Sequence, residues 1–206
     1  MSTPHYFVTP AGQERRRVIR ARFWDEDWEF DTADGIFSAG RLDLGTSVLL
    51  RESTPPTGEA RLLDLGCGFG AITIALAVGN PKATVDAVDV NLRALDLTRA
   101  NAERHGVAQR VQTFTPDEAN PGVKYDEIWS NPPIRIGKEA LHELLLTWLP
   151  RLKPNGAARL VVGKNLGADS LQAWLNANGW DCRRTASAKG FRVLEVRHPH
   201  QTPHAD

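Results

Sequence analysis

The run Asp64-Leu65-Gly66-Cys67-Gly68-Phe69-Gly70 has the composition of a ligand cradle. It lies between an apolar stretch, Arg61-Leu62-Leu63-Asp64-Leu65, and a helical one from Ala71 to Val78. Glycines there allow a sharp turn and a close backbone approach, and the helix start beyond them offers unpaired N–H groups. Cys67 sits where a small side chain is wanted. Asp89 ends the next strand, Thr84 to Val88, one β-α-β step after Asp64. An acid in that place can accept both hydroxyls of a ribose. These residues suit a nucleoside-containing ligand, and two kinds stay open. Gly66, Gly68 and Ala71 fit the dinucleotide pattern, which tolerates alanine at its last position. Asp64 would be a poor neighbour for a pyrophosphate, but it suits a ligand whose sulfonium and amino-acid tail carry positive charge.

A second constellation, Ser130-Asn131-Pro132-Pro133-Ile134, follows the apolar stretch Tyr125 to Ser130. The aspartate two residues before the first glycine, together with the third glycine at Gly70, resembles the S-adenosylmethionine signature. Asn-Pro-Pro after the fourth strand of the alternating region resembles the mark of Rossmann-like methyltransferases that modify planar amino groups, such as base amines and glutamine amides. The chemistry explains the residue types. Such a nitrogen is a weak nucleophile because its lone pair is delocalised. The Asn131 side-chain oxygen and the Pro132 carbonyl can accept its N–H groups and favour the pyramidal, positively charged nitrogen of the transition state. Two prolines stiffen the loop, so the acceptors are set in advance. No strong base is needed, since the proton can leave after methyl transfer.

Residues 131–142, Asn-Pro-Pro-Ile-Arg-Ile-Gly-Lys-Glu-Ala-Leu-His, are similar to the small-domain class I methyltransferases related to the small-subunit ribosomal RNA guanine-N2 enzymes. Two further matches are Gly35-Ile36-Phe37-Ser38 with Arg41-Leu42-Asp43-Leu44-Gly45-Thr46, and Lys189-Gly190-Phe191-Arg192-Val193-Leu194. The resemblance implies a Rossmann-like seven-stranded sheet whose last strand is inserted antiparallel. It implies that Gly45 and Thr46 approach S-adenosylmethionine, which Asp64, Gly66, Gly68, Gly70, Asp89 and Asn131 line. The acid that touches the adenine ring is assigned to Asp117 in Pro116-Asp117-Glu118. Asn131 and Pro132 are the expected catalytic pair, and Ile134, Arg135 and Lys138 the expected substrate contacts. Two departures stand out. The position of Ile134 is often aromatic and stacks on the target, a contact worth roughly 1–3 kcal/mol per base. The bacterial rRNA enzymes of this kind also carry a second, degenerate domain, for which 206 residues leave no room, so RNA docking is expected to differ.

Elements that position these residues can be read from periodicity. Val18 to Phe23 and Trp28 to Thr32 are expected strands around the turn Trp24-Asp25-Glu26-Asp27. A helix through Thr46 to Leu50 follows, and Thr54-Pro55-Pro56-Thr57-Gly58 breaks the chain. Residues 1–55 are thus expected to form an N-terminal extension packed on a main domain, 56–198, with 199–206 as a tail. In the main domain, strands 61–65, 84–88, 110–114, 125–130 and 158–162 alternate with helices 71–78, Asn91-capped to His105, 138–151 and 170–178, and Pro154-Asn155-Gly156 reads as a turn. Such alternation builds an α/β fold, a mostly parallel sheet with helices on both faces. Strands 181–186 and 191–196 are joined too closely for a parallel crossover and must form an antiparallel hairpin.

Charge balances overall, 25 Lys+Arg against 25 Asp+Glu, yet it is uneven along the chain. Residues 1–24 hold five arginines against Glu14, residues 25–34 hold six acids, and Arg135 to Arg197 holds eleven bases against five acids. Such surfaces could follow a phosphate backbone, with Arg15-Arg16-Arg17 and then Arg135, Lys138, Lys189 and Arg192 as candidates. The expected partner is RNA, ribosomal RNA or a ribosomal subunit, with a monomer as default. Two cysteines make no disulfide framework, and neither a membrane span nor a signal peptide is apparent, so a cytoplasmic setting is expected. Trp148 and Trp174 read as core, and Trp24 and Trp28 as packing the hairpin onto the domain. The tail from His198 to His204 has metal-like spacing, but its prolines read as a frayed end, and no metal is expected. Beside guanine amino-methylation, two other functions fit: protein glutamine methylation with the same clamp, and a non-catalytic cofactor-binding RNA-assembly factor.

Overall fold

A computed structural model describes residues 16–24, 26–34 and 40–199, without the side chain of Arg135. Arg15, the segment Gly35-Ile36-Phe37-Ser38 and the histidines beyond His198 lie outside the described residues. An antiparallel hairpin, β1 (Arg16–Phe23) and β2 (Glu26–Ala33), precedes helix α1 (Leu44–Glu52). Then come β3 (Ala60–Leu65), α2 (Ala71–Gly79), β4 (Ala83–Val88), α3 (Leu92–Arg104) and β5 (Val111–Phe114). The second half runs β6 (Tyr125–Ser130), α4 (Lys138–Trp148), β7 (Leu152–Gly163), α5 (Ala168–Ala177), β8 (Asp181–Ala188) and β9 (Phe191–Arg197).

The seven later strands form one sheet in the order β5-β4-β3-β6-β7-β9-β8. β9 lies antiparallel between β7 and β8, and the pairs among β3 to β7 are parallel. This is the expected Rossmann-like arrangement with its antiparallel C-terminal hairpin. The two-residue turn Lys189-Gly190 has φ of 50° and 80°, positive at both positions, as the twist of a tight hairpin demands. Consecutive strand residues alternate between two cores. Leu62, Trp129, Val161 and Val193 face α1, α2 and α3, while Leu63, Ile128, Leu160 and Leu194 face α4 and α5. A strand segment covered on both faces carries apolar residues at consecutive positions, as Leu62-Leu63, Ile128-Trp129, Leu160-Val161 and Val193-Leu194 do.

The chain runs outward through β3, β4 and β5, then returns to pass through β6 and β7 on the other side of β3. The sheet order therefore reverses between β3 and β6. In open α/β sheets, ligands bind beyond the carboxyl ends of the strands at such a switch point. The glycine run follows β3 and Asn131 follows β6, so both constellations stand at that place.

Three differences from the sequence reading have local causes. Pro154-Asn155-Gly156 is no separate turn but an irregularity within β7. While β6 advances from Tyr125 to Glu127, its partner advances from Leu152 to Ala157. A Cβ on Gly156 would lie 2.9 Å from the Asp126 carbonyl, so only glycine lets the irregularity close. Helix α4 ends at Trp148, and a 3-10 turn carrying Pro150 replaces its last residues. β2 starts at Glu26, because Glu26 pairs with Phe23 and Asp27 with Arg22.

The hairpin buries its aromatic face. Phe23, Trp28 and Phe30 stack, and Phe30 lies 5.7 Å from Phe69 of the glycine run and 5.5 Å from His105. Trp24 donates its indole N–H to the Ser53 carbonyl. Buried Asn101 of α3 accepts the Asp31 N–H at 2.7 Å and donates to the carbonyls of Asp31 and Phe69. The hairpin therefore braces the loop that follows β3. Removing a buried phenylalanine costs about 3–5 kcal/mol. Phe30→Ala should lower the urea midpoint accordingly, with fluorescence and circular dichroism shifting together. A hairpin signal that melts ahead of an unmoved sheet signal would show that the two do not share one cooperative unit.

Candidate functional site

The cradle is shaped by two buried acids. Asp64 is fully buried at the end of β3, and its Oδ2 accepts the N–H of Thr73 at 2.9 Å and the Thr73 hydroxyl at 2.6 Å. Its Oδ1 is buried with no partner. Burial pushes the Asp64 carboxyl up to about 7, against the lowering effect of the Thr73 hydrogen bonds, and nearby Asp89 raises it further. Asp89, just past β4, is raised chiefly by burial. Its Oδ2 accepts the Gly68 N–H at 2.9 Å and its Oδ1 the Asn91 N–H at 2.9 Å. Gly66 and Gly68 have φ of 79° and 57°, and a Cβ on either would meet nothing within 4 Å. The glycine backbone is thus bent toward open space. Gly70 differs, since a Cβ there would lie 2.9 Å from Thr98 of α3, so it serves helix packing. The Thr98 hydroxyl also donates to the Gly68 carbonyl at 3.1 Å.

An orphaned buried carboxylate oxygen beside a second acid repels a pyrophosphate and attracts a cation. The residues present therefore fit S-adenosylmethionine, with its ammonium and sulfonium, better than a dinucleotide. Asp117 is exposed in the turn after β5, near the strand end where the Asp89 N–H meets the Phe114 carbonyl. Its neighbour Glu118 is engaged locally, accepting from the Thr115 N–H and hydroxyl.

The clamp stands next to the cradle. The Ser130 hydroxyl at the end of β6 donates to the Leu65 carbonyl at 2.7 Å, which ties the two loops together at their roots. Pro133 has φ −74° and ψ 77°, and the Ile134 N–H donates to the Pro132 carbonyl at 2.8 Å. This is an inverse γ-turn, and the proline ring supplies its φ in advance. The Pro132 oxygen is aimed by that turn and keeps one lone pair. The Asn131 Nδ2 donates to Asp43 Oδ2 at 2.7 Å and to the Thr46 hydroxyl at 3.0 Å. Gly45 is buried beside them, with Phe191 of β9 close to its Cα hydrogens. Sequence reasoning assigned Gly45 and Thr46 to the cofactor and passed over Asp43. The signal was present, because Asp directly before a helix is a favoured N-cap, and Asp43 accepts the Thr46 N–H at 3.1 Å.

Beside the clamp, Ile134, Lys138, Leu141, His142, Leu166 and Ser170 line a cleft of about 270 Å³. Trp174 is only half-buried, and its ring stacks on His142 with centroids 3.6 Å apart, so it is not pure core.

The basic surfaces are more neutral than the sequence suggests. Arg17, Arg20 and Arg22 pair with Asp34, Glu29 and Asp27, because β2 and the residue just past its end lay acids beside them. In the second half, Lys153 pairs with Asp126, Arg159 with Glu127 and Glu195, Arg183 with Asp181, and Arg192 with Asp169. Arg192 is therefore engaged rather than available to a phosphate. Lys138, Lys164 and Lys189 are exposed and make no ion pair with a described residue. The Lys164 N–H donates to the Gly190 carbonyl, which sets Lys164 beside the Lys189 turn. The His198 Nε2 donates to the Leu152 carbonyl at 3.2 Å, and its ring lies 5.1 Å from Trp180. Among the described residues no helix is long and apolar enough to cross a membrane.

A family model described as methyltransferase small domain matches residues 27–195. The uncharacterized protein YbxB of Bacillus subtilis is 31% identical over 200 residues, which cover 96% of this chain and 99% of that protein. Ribosomal RNA small subunit methyltransferase C of Hahella chejuensis is 42% identical over 172 residues, 80% of this chain and 48% of that one. The chain spans about half the length of the methyltransferase C relatives it matches. A solved structure of a T. thermophilus 16S rRNA N2 methyltransferase, in complex with AdoMet and guanosine, superposes with a TM-score of 0.76. Its identity is 24%, and the match covers 92% of this chain and 52% of that one.

Proposed function

The chain belongs to the methyltransferase small domain family, and from that premise we propose that it methylates an exocyclic amino group of RNA, the N2 of a guanine in ribosomal RNA, with S-adenosylmethionine as donor. The observation that carries this reading is the 2.7 Å bond from Ser130 to the Leu65 carbonyl, which joins an amine clamp to a cation-attracting nucleoside cradle. S-adenosylmethionine supplies a methyl group made electrophilic by its sulfonium. Asp64, Gly66 and Gly68 would hold its amino-acid end, Asp89 its ribose hydroxyls and Asp117 its adenine, with Gly45 and Thr46 alongside, while Gly70 packs the loop on Thr98.

The chain's own contribution is to orient and activate the nitrogen. Asn131 Oδ1 and the free lone pair of the Pro132 carbonyl accept the two N–H groups of the target. Both acceptors are fixed before the substrate arrives, so they favour the cationic nitrogen without reorganising. With the donor bound, the nitrogen held by Asn131 and Pro132 would take the methyl group through its lone pair and then give up its extra proton to water. Ile134 packs against the base as an aliphatic contact. The base must be flipped or unpaired, since an amine inside a stem cannot reach acceptors set in the loop after β6.

RNA is favoured over a glutamine-bearing protein by the names of the methyltransferase C relatives and by the exposed Lys138, Lys164 and Lys189 near the clamp. Arg135 lies in the same loop. The test is to incubate the protein and labelled cofactor with unmodified ribosomal RNA, with ribosomal subunits and with release-factor-type proteins, then digest and identify the product. N2-methylguanine is expected, with RNA affinity falling as salt rises because neutralised phosphates release counterions. Label on glutamine or adenine, with none on guanine, would overturn the assignment.

A further inference from the structure

We propose that Asp43 is a positioning residue, whose carboxylate dictates which end of the Asn131 amide faces the substrate. The inference rests on the reading of Asn131 as an acceptor for the target amine. An asparagine side chain offers a carbonyl oxygen and an NH2 group of nearly equal size, and only the oxygen can accept an N–H. A clamp in which the amide turned over would present donors to a donor. Something behind the amide must set its direction.

Asp43 does this by chemistry rather than by shape. An ionised carboxylate is acceptor-only, so the group 2.7 Å from its Oδ2 must be the Asn131 NH2. The Thr46 hydroxyl takes the second hydrogen at 3.0 Å, so both N–H groups are used. Asn131 Oδ1 then points away from Asp43, and no described residue donates to it. Asp43 is itself held, because the same Oδ2 caps α1 by accepting the Thr46 N–H. The fixed charge also polarises the amide and strengthens its oxygen as an acceptor.

Gly45 acquires a reason in this arrangement. A Cβ there would lie 2.9 Å from Asp43 Oδ2 and 3.0 Å from the Phe191 ring. Glycine lets the carboxylate and the β9 aromatic close around the start of α1. The segment ahead of α1 thus acts on the clamp as well as on any cofactor.

A capping role alone predicts something different, since serine and asparagine cap helices about as well as aspartate. The test compares Asp43→Asn and Asp43→Ser with wild type, each alone and combined with Asn131→Ala. Methyl transfer to unmodified small-subunit ribosomal RNA, S-adenosylhomocysteine affinity and the thermal midpoint are measured on each. Both Asp43 variants should lower kcat roughly ten- to a hundredfold, as loss of an orienting partner does in other sites. KM, homocysteine-compound affinity and the thermal midpoint should stay near wild type. In the Asn131→Ala background the Asp43 substitutions should cause no further loss, because the residue acts through Asn131. Equal losses in both backgrounds, or an unchanged kcat, would overturn the positioning role while leaving the clamp intact. Wild-type kcat in Asn131→Ala alone would instead remove the clamp reading, and Asp43 with it.

Discussion

Replacing Asn131 with alanine is expected to lower kcat on the order of a hundredfold or more while leaving cofactor affinity near wild type. The size follows from what is lost. One preorganised polar partner of a transition-state charge typically supplies that much rate. The separation of kcat from binding follows from geometry. The Asn131 amide is bonded to Asp43 and Thr46 of the α1 start, whereas the cradle is built by Asp64, Asp89 and the glycine loop. Stability should change little, because Asn131 is half-exposed and α1 keeps its cap through the Asp43 bond to the Thr46 N–H. Single-turnover methyl transfer and calorimetric titration with S-adenosylhomocysteine check the two halves. A variant that loses cofactor affinity in proportion to its rate would place Asn131 in the cradle rather than the clamp.

Cofactor affinity is expected to fall as pH drops below about 7, by about tenfold per pH unit, reaching roughly a hundredfold at pH 5. The group responsible is Asp64, whose carboxyl burial raises to about 7. Its Oδ2 is satisfied twice by Thr73, while Oδ1 has no partner. A ligand ammonium prefers the ionised form, so binding below pH 7 must first expel a proton. The same shift makes the free protein behave in the opposite sense. The folded-state value lies above the ordinary 3.8. Between about pH 4 and 7 the native state therefore keeps a proton that the unfolded chain has lost, and this contribution to stability declines as pH rises. Titrations at pH 6 in buffers of different ionisation enthalpy should reveal proton release on binding. Asp64→Asn should abolish both the release and the slope. Affinity that is flat from pH 5 to 8 would remove Asp64 from the ligand contact.

What the sequence discloses and what it hides divide along a physical line. Local rules held well. Asn91 caps α3 by accepting the Arg93 N–H, Tyr125 to Ser130 is a strand to the residue, and the short Lys189-Gly190 connection forces an antiparallel pair. The places of the glycine run and of Asn131-Pro132-Pro133 could be read because each directly follows the end of an apolar strand. Features that depend on distant partners could not. Asp43 lies 88 residues before Asn131, and nothing between them signals the contact. The basic excess of the second half narrows to a few lysines because Glu127, Glu195 and Asp169 meet arginines across strands and loops. Gly156 looks like half of a turn signal, yet its small size serves an irregular strand pair in which the Asp126 carbonyl comes close.

The placing of β9 has a consequence for how the protein is made. The strand occupies a slot between β7 and β8, although both precede it in the chain. Until residues 191–197 have left the ribosome, β7 has an open edge and β8 has no neighbour at all. That edge carries Leu160, Val161 and Val162, an apolar run with two β-branched valines, of the kind that pairs readily with other chains. The sheet therefore closes last at the strand that also delivers Phe191 to the start of α1. A nascent chain stalled shortly before residue 191 would hold its early strands folded and an adhesive edge exposed, which makes the final hairpin the step where a chaperone has most to protect.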